Sequence, residues 1–205
     1  MQDWGLKRMN RVKTWAHGRP SQARERGATL VEAAIVFPIL ILIVMAILEI
    51  GMVFKDYLSV SAFSREGARI AALAGRDDAA DCAVLVGVAS LATQRDLERI
   101  SSIQIYKASE GTGTQGATNT WTYNGGDASE CHVPAEIGDG WDPGAIAYPP
   151  GSRKTTVGPV PLDLIGVRVM LTRSWITQFP PFNGPPFTID ESTITRLEPE
   201  AFFQP

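Results

Sequence analysis

AAIVFPILILIVMAIL (residues 33–48) is a run of 16 residues without a charge. At 1.5 Å rise per residue it covers about 24 Å as a helix, slightly short of a bilayer core of roughly 30 Å. Admitting residues 28–31 and 50–54 extends the stretch to about 40 Å, enough to cross with tilt. The competing reading is the core helix of a soluble domain. It fits less well, because residues 39–44 are apolar all round and show no polar face.

The 205-residue chain as a whole has 44% hydrophobic and 20% charged residues and a net charge of −3. Such averages describe one ordinary domain, or two small ones. They exclude bulk disorder, a polytopic membrane protein and a strongly basic nucleic-acid binder. Charge, however, is segregated. Residues 1–27 hold seven bases against two acids, residues 28–54 only Glu32 and Glu49, and residues 55–205 twelve bases against eighteen acids.

Lys7, Arg8, Arg11, Lys13, Arg19, Arg24 and Arg26 all lie shortly before the apolar run. The positive-inside rule keeps that end cytoplasmic and sends the residues after Lys55 across. A cleaved secretory signal fits poorly, since no small-x-small site follows the run. Beyond it, Tyr57, Leu58, Val60, Ala62, Phe63, Ala68, Ile70 and residues 71–73 alternate with charged positions in an amphipathic pattern. Gly75 ends that pattern. The expected division is a basic cytoplasmic leader (1–27), a transmembrane segment (28–54), an exported continuation of the same helix (55–75) and an extracytoplasmic α+β domain with long Pro/Gly-rich loops (76–205).

In the apolar run and at its two ends three residues stand out. Glu32 sits near its cytoplasmic edge, where an ionised carboxylate is costly unless it snorkels to the interface or meets a cation. A cut after Gly27 would create such a cation, the α-amino group of Ala28, and axially offset copies could pair amine with carboxylate. Pro38 removes one helix hydrogen bond, so a kink is expected there. Glu49 reads as an interfacial acid at the outer edge, with a contact to a partner membrane protein as the minority reading.

Arg26, Gly27, Ala28, Thr29, Leu30, Val31 and Glu32, then the apolar run with Pro38, then Glu49, Ile50 and Gly51, resemble the amino-terminal signature of the TadE-like family. Arg65, Glu66, Gly67, Ala68 and Arg69 are similar to that family's R-E-G-A-R element. The resemblance covers residues 26–74. It implies a pilin-like layout and a pseudopilin, or minor pilin, of the tight-adherence (Flp-type) pilus system in a bacterial cytoplasmic membrane. It further implies Gly27 as the processing glycine, Ala28 as the mature start and Glu32 as the assembly glutamate. The implied partners are the membrane, a prepilin peptidase, other pseudopilins, the major pilin and pilus-machinery membrane proteins. Related pilins often carry an aromatic residue after that glutamate; this chain has Ala33.

In the remainder, residues 79–99 read as a second helix capped by Asp77 or Asp78, with Val84, Leu85, Val88, Leu91 and Ala92 on one face. Residues 102–106, 164–176 and 188–197 read as strands of a small antiparallel sheet. The Gly/Thr-rich stretch 111–126 reads as a loop or hairpin. The Pro/Gly-rich stretches 139–161 and 179–187 read as long connections. Cys82 and Cys131 lie in the exported part and are expected to be bridged, two buried thiols being the alternative.

Nothing points to catalysis. Gly111, Gly113 and Gly116 match G-x-G-x-x-G only formally, because no helix-forming sequence follows. His132 is the one histidine after the apolar run, too little for a triad or a metal site, and Asp139 and Asp142 lack EF-hand spacing. The expectation is a non-enzymatic assembly protein without cofactor, metal or nucleic-acid partner. The alternative is an uncleaved, signal-anchored binding module.

Overall fold

The computed structural model describes residues 22–132, 139–178, 180 and 182–199, without the side chains of residues 22–26 and 28. The expected leader up to residue 21, with its bases Lys7, Arg8, Arg11, Lys13 and Arg19, lies outside the described residues. Three α-helices precede the five strands: α1 (Gln22–Ala74), α2 (Ala80–Leu91) and α3 (Gln94–Leu97). The strands are β1 (Ile100–Ala108), β2 (Gln115–Tyr123), β3 (Trp141–Ile146), β4 (Leu164–Arg173) and β5 (Phe187–Arg196). They form one antiparallel sheet in the order β3-β2-β1-β4-β5. A long apolar helix, further helices and an antiparallel sheet make the α+β, pilin-like layout that the sequence suggested. The chain divides into two units, Met1–Met45 and Ala46–Pro205, and α1 contributes to both.

In the first unit, every side chain described from Thr29 to Met45 is exposed. The second unit is built differently. From Glu49 onward α1 buries one stripe, comprising Glu49, Asp56, Val60, Phe63, Ser64, Gly67, Ala68, Ala71 and Ala72. The recurrence at three, four and seven residues is one face of a helix.

Strand alternation supplies the matching surface. Trp121, Ile103, Val169 and Glu191 stand opposite one another across β2, β1, β4 and β5, as do Asn119, Ile105, Val167 and Thr193 in the next layer. Side chains of one register row share one face of the sheet. Ser64 on α1 hydrogen-bonds Thr193 at 3.0 Å on this face. Gly67 sets how closely α1 lies: a Cβ there would stand 2.9 Å from Val167 Cγ1 and 3.3 Å from Val88 Cγ2.

Gly75 ends α1 as expected, with φ +55° and its N–H on the Ala71 carbonyl. The second helix differs from the expectation. Ala79, not an aspartate, holds the cap position of α2, while the Asp77 carboxylate accepts the Ala79 N–H at 2.8 Å. The helical stretch also breaks after Leu91, because Thr93 and Asp96 form a reciprocal capping box that starts α3. Val84, Leu85 and Val88 are buried, but Leu91 is 52% exposed.

Of the two loop-like stretches, the first takes the hairpin form that was one of its two readings, and the second is more structured than expected. The stretch around Gly111, Gly113 and Gly116 is a hairpin, since Gln115–Tyr123 forms β2 against β1. Threonine and tryptophan at alternating positions favour a strand, and Trp121 and Asn119 face inward. The stretch 139–161 contains β3 and is tied down by a buried polar network. Arg153, 1% exposed, pairs with Asp81. Asn119 Nδ2 donates to Asp81 and to the Tyr148 carbonyl, both at 2.7 Å, and its Oδ1 accepts the Tyr148 N–H. Tyr148 Oη donates to Asp163 at 3.0 Å, and Lys107 reaches the same carboxylate at 2.7 Å. Burial raises the Tyr148 hydroxyl pKa, and the adjacent Asp163 carboxylate raises it further.

Cys82 and Cys131 form a disulfide with Cα atoms 5.3 Å apart, closing a separation of 49 residues. It fastens α2 to the segment after β2. A loop of this size contributes about 4 kcal/mol in the chain-entropy treatment. C82S/C131S is therefore expected to lower Tm strongly in non-reducing melts, and wild type with reductant should approach it. Gly67→Val is expected to cost about 1–3 kcal/mol by overpacking against Val167 and Val88, read as a lower denaturation midpoint.

Candidate functional site

The sequence singles out one helix, and α1 carries every member of the candidate set except the cysteines. In the first unit, α1 runs through Gly27 without interruption, having started at Gln22 rather than at Ala28. Gly27 is exposed, with open space where a Cβ would stand. Ala28 and Glu32 are one helical turn apart, so they lie on one side of α1. Glu32 is exposed and has no ion-pair partner among the described residues. Pro38 lies inside the helix. The exposed apolar surface around them includes Leu30, Ile35, Phe37, Ile39 and Ile43, between 48% and 71% accessible.

The Arg65 to Arg69 element lies in the second unit, and its residues divide by helical face. Gly67 and Ala68 point into the core, the glycine against Val167, Val88 and Val84. Arg65 and Arg69 are exposed. Arg69 binds Glu66 through two hydrogen bonds of 2.9 and 2.6 Å, which hold the Glu66 carboxyl below its ordinary range. A solvated i,i+3 pair contributes little to stability. The element thus combines a close-packing pair with a charged outer face.

Glu49 is not the solvated interfacial acid the sequence suggested. It is fully buried, and its carboxylate accepts the backbone N–H of Ile176 at 2.6 Å and of Thr177 at 3.1 Å. Arg173, at the end of β4, approaches it at 3.5 Å and also pairs with Asp56, seven residues further along the same face of α1. Asp56 takes a second guanidinium from Arg99, just after α3. Two carboxylates from α1 and two arginines from distant segments therefore close one buried cluster. Carboxylates are stable in a dry site only when paired and hydrogen-bonded, and here both are.

Sequence reasoning missed this cluster. The signal available was the seven-residue spacing of Glu49 and Asp56 on the face that continues as Val60, Phe63 and Gly67. Their partners lie 43 and 117 residues from Asp56 in the chain, which periodicity cannot reveal.

Burial alone would raise the Asp56 carboxyl, but the Arg99 and Arg173 guanidinium groups more than offset it and hold the group below the ordinary aspartate range. The sign follows from linkage. A depressed folded-state value adds stability above the unfolded value of about 3.9, and that stability is lost as pH falls through the folded value. D56N is expected to flatten the acid limb of the stability-against-pH curve. R173M takes the shared guanidinium from two buried carboxylates, leaving Asp56 with Arg99 and Glu49 with two backbone N–H groups, and should cost about 3–5 kcal/mol in chemical denaturation at pH 7.

No curated protein and no solved structure matches the chain. A family comparison does match, over residues 27–69, with the description TadE-like protein. The matched stretch begins at the candidate processing glycine and ends at the last arginine of the R-E-G-A-R element. TadE-like proteins are a structural, pilus-associated family rather than an enzymatic one. From Gly27 to Arg69 this chain is similar to the TadE-like family.

Proposed function

We propose that the protein is a pseudopilin, or minor pilin, that supports assembly of a tight-adherence (Flp-type) pilus. The supporting observation is a coincidence on one helix. The TadE-like match covers the part of α1 that is long and apolar enough to cross a membrane and runs on into the stripe packed against the sheet. At the coarser level, the match and the apolar helix fit a membrane-anchored protein related to the Tad pilus.

In the full proposal, residues 28–54 hold the chain in a bacterial cytoplasmic membrane. The leader remains cytoplasmic, and residues 76–205 lie outside. A prepilin peptidase cuts after Gly27, which frees the amine of Ala28 one turn from Glu32. In lipid, that carboxylate is costly alone and favourable beside a cation. The amine of a neighbouring subunit, displaced along the axis, would neutralise it and fix the stacking register. Ala33, Ala34, Ala46 and Gly51 offer small-residue surfaces for helix approach. A Pro38 kink would let α1 bend as it leaves the bilayer. Other pseudopilins, the major pilin and machinery membrane proteins would supply the facing helices.

A second reading keeps the leader. α1 is helical from Gln22 across the Gly27–Ala28 bond, a continuity that an uncleaved signal anchor would retain. The exported domain would then act as a tethered binding module.

Intact-mass measurement of the membrane form separates the two. The pseudopilin reading expects a chain starting at Ala28, and Gly27→Phe is expected to abolish that species. Glu32→Ala should still be cut yet yield few or no pili. A chain retaining Met1 in cells that build the pilus supports the anchor instead.

A further inference from the structure

One cavity in the second unit involves none of the candidate residues read from the sequence. It measures about 330 Å³ and lies between α1, α3 and the end of β4, with Lys55, Arg95, Arg99, Arg173 and Trp175 in its wall. Asp56 is the carboxylate that lines it, and Asp56 is already held by Arg99 and Arg173. Glu49 lies behind Arg173, and Asp96 stands 3.9 Å from Arg99. These three acids face two arginines, the buried Arg173 and the half-buried Arg99. Lys55 and Arg95 are exposed and have no ion-pair partner among the described residues, and with them the four bases exceed the three acids by one charge.

Lys55, Arg95, Arg99 and Arg173 outnumber Asp56 in the cavity wall. A wall with an excess of cationic N–H donors suits an oxyanion with several acceptor oxygens.

Position identifies the source of that oxyanion. Met52 and Lys55 follow Leu48, the last residue of the uncharged run, by about 6 and 10 Å along the helix axis. Headgroups occupy roughly 5–8 Å on each side of the hydrocarbon core. Ile50, Phe54 and Ile176, 63%, 61% and 52% exposed, present apolar surface beside these cations. Apolar side chains next to a cationic cavity match an acyl chain joined to a phosphate.

We infer that this cavity binds the phosphate of an anionic phospholipid at the point where α1 leaves the bilayer. The inference rests on the membrane-spanning reading of residues 28–54. Binding would seat the domain at a fixed height and orient it before assembly.

The test uses the full chain, purified and delipidated in dodecyl maltoside. Phosphatidylglycerol and phosphatidylcholine are added at equal concentration, and retained lipid is counted by native mass spectrometry. Wild type should retain phosphatidylglycerol roughly tenfold over phosphatidylcholine, each cation near the surface adding to the attraction. K55A/R95A should fall to parity while keeping its disulfide and Tm, and K55R/R95K should restore the preference. Parity in wild type, or an unchanged preference in K55A/R95A, overturns the inference. So does loss of the retained lipid to inorganic phosphate, which would mark a site for a small ion from solution. Alkaline carbonate extraction of membranes separates the two failures. Release of the chain defeats the membrane-spanning reading, whereas a retained chain without lipid preference defeats the inference alone.

Discussion

The second unit depends on how two acids on α1 are neutralised. Glu49 and Asp56 enter the interior on the face of the helix that goes on to carry Val60, Phe63 and Gly67. Without Arg173, Arg99 and the two backbone N–H groups of Ile176 and Thr177, that face would bring bare carboxylates into a dry core. With them, the cluster joins α1 to the end of β4 and to Arg99, two residues after α3. Ion pairs of this kind seldom add much net stability over apolar residues of similar volume, but removing one partner is costly. Its evident effect is positional: it fixes which turn of α1 meets the sheet.

Such a positional constraint suits a helix with two kinds of surroundings. Before Glu49 the described side chains of α1 are accessible almost throughout, and from Glu49 onward one stripe is covered. In the proposed function the first stretch meets lipid or partner helices, and the second carries the domain. The R-E-G-A-R element belongs to the second stretch. There Gly67 admits close approach to Val167 and Val88, while Glu66 and Arg69 stay at the surface.

Much of this was legible in the sequence wherever periodicity or local chemistry speaks. The long helix, its stop at Gly75 and strands β1, β4 and β5 follow from apolar patterns and one glycine. The Cys82–Cys131 bridge follows from there being only two cysteines, both beyond the apolar run. Strands β2 and β3 were hidden because their sequences are rich in Gly, Thr and Pro, and their pairing depends on neighbours that local rules do not see. The Arg153–Asp81–Asn119 network and the Glu49–Arg173–Asp56 cluster were hidden for a related reason. Their members come from segments up to 124 residues apart, and charged residues read singly look like solvated ones.

The central claim is that α1 changes surroundings at Glu49, from lipid on all sides to a one-sided protein contact. Nitroxide scanning along residues 30–62 of the full chain in bilayers addresses it directly, by comparing collision with oxygen and with a water-soluble nickel chelate. High oxygen and low nickel exposure is predicted without periodicity through residue 48. A helical oscillation should follow, with minima at positions 49, 56 and 60. An oscillation that already runs through residues 30–48, or high nickel exposure there, would contradict the account.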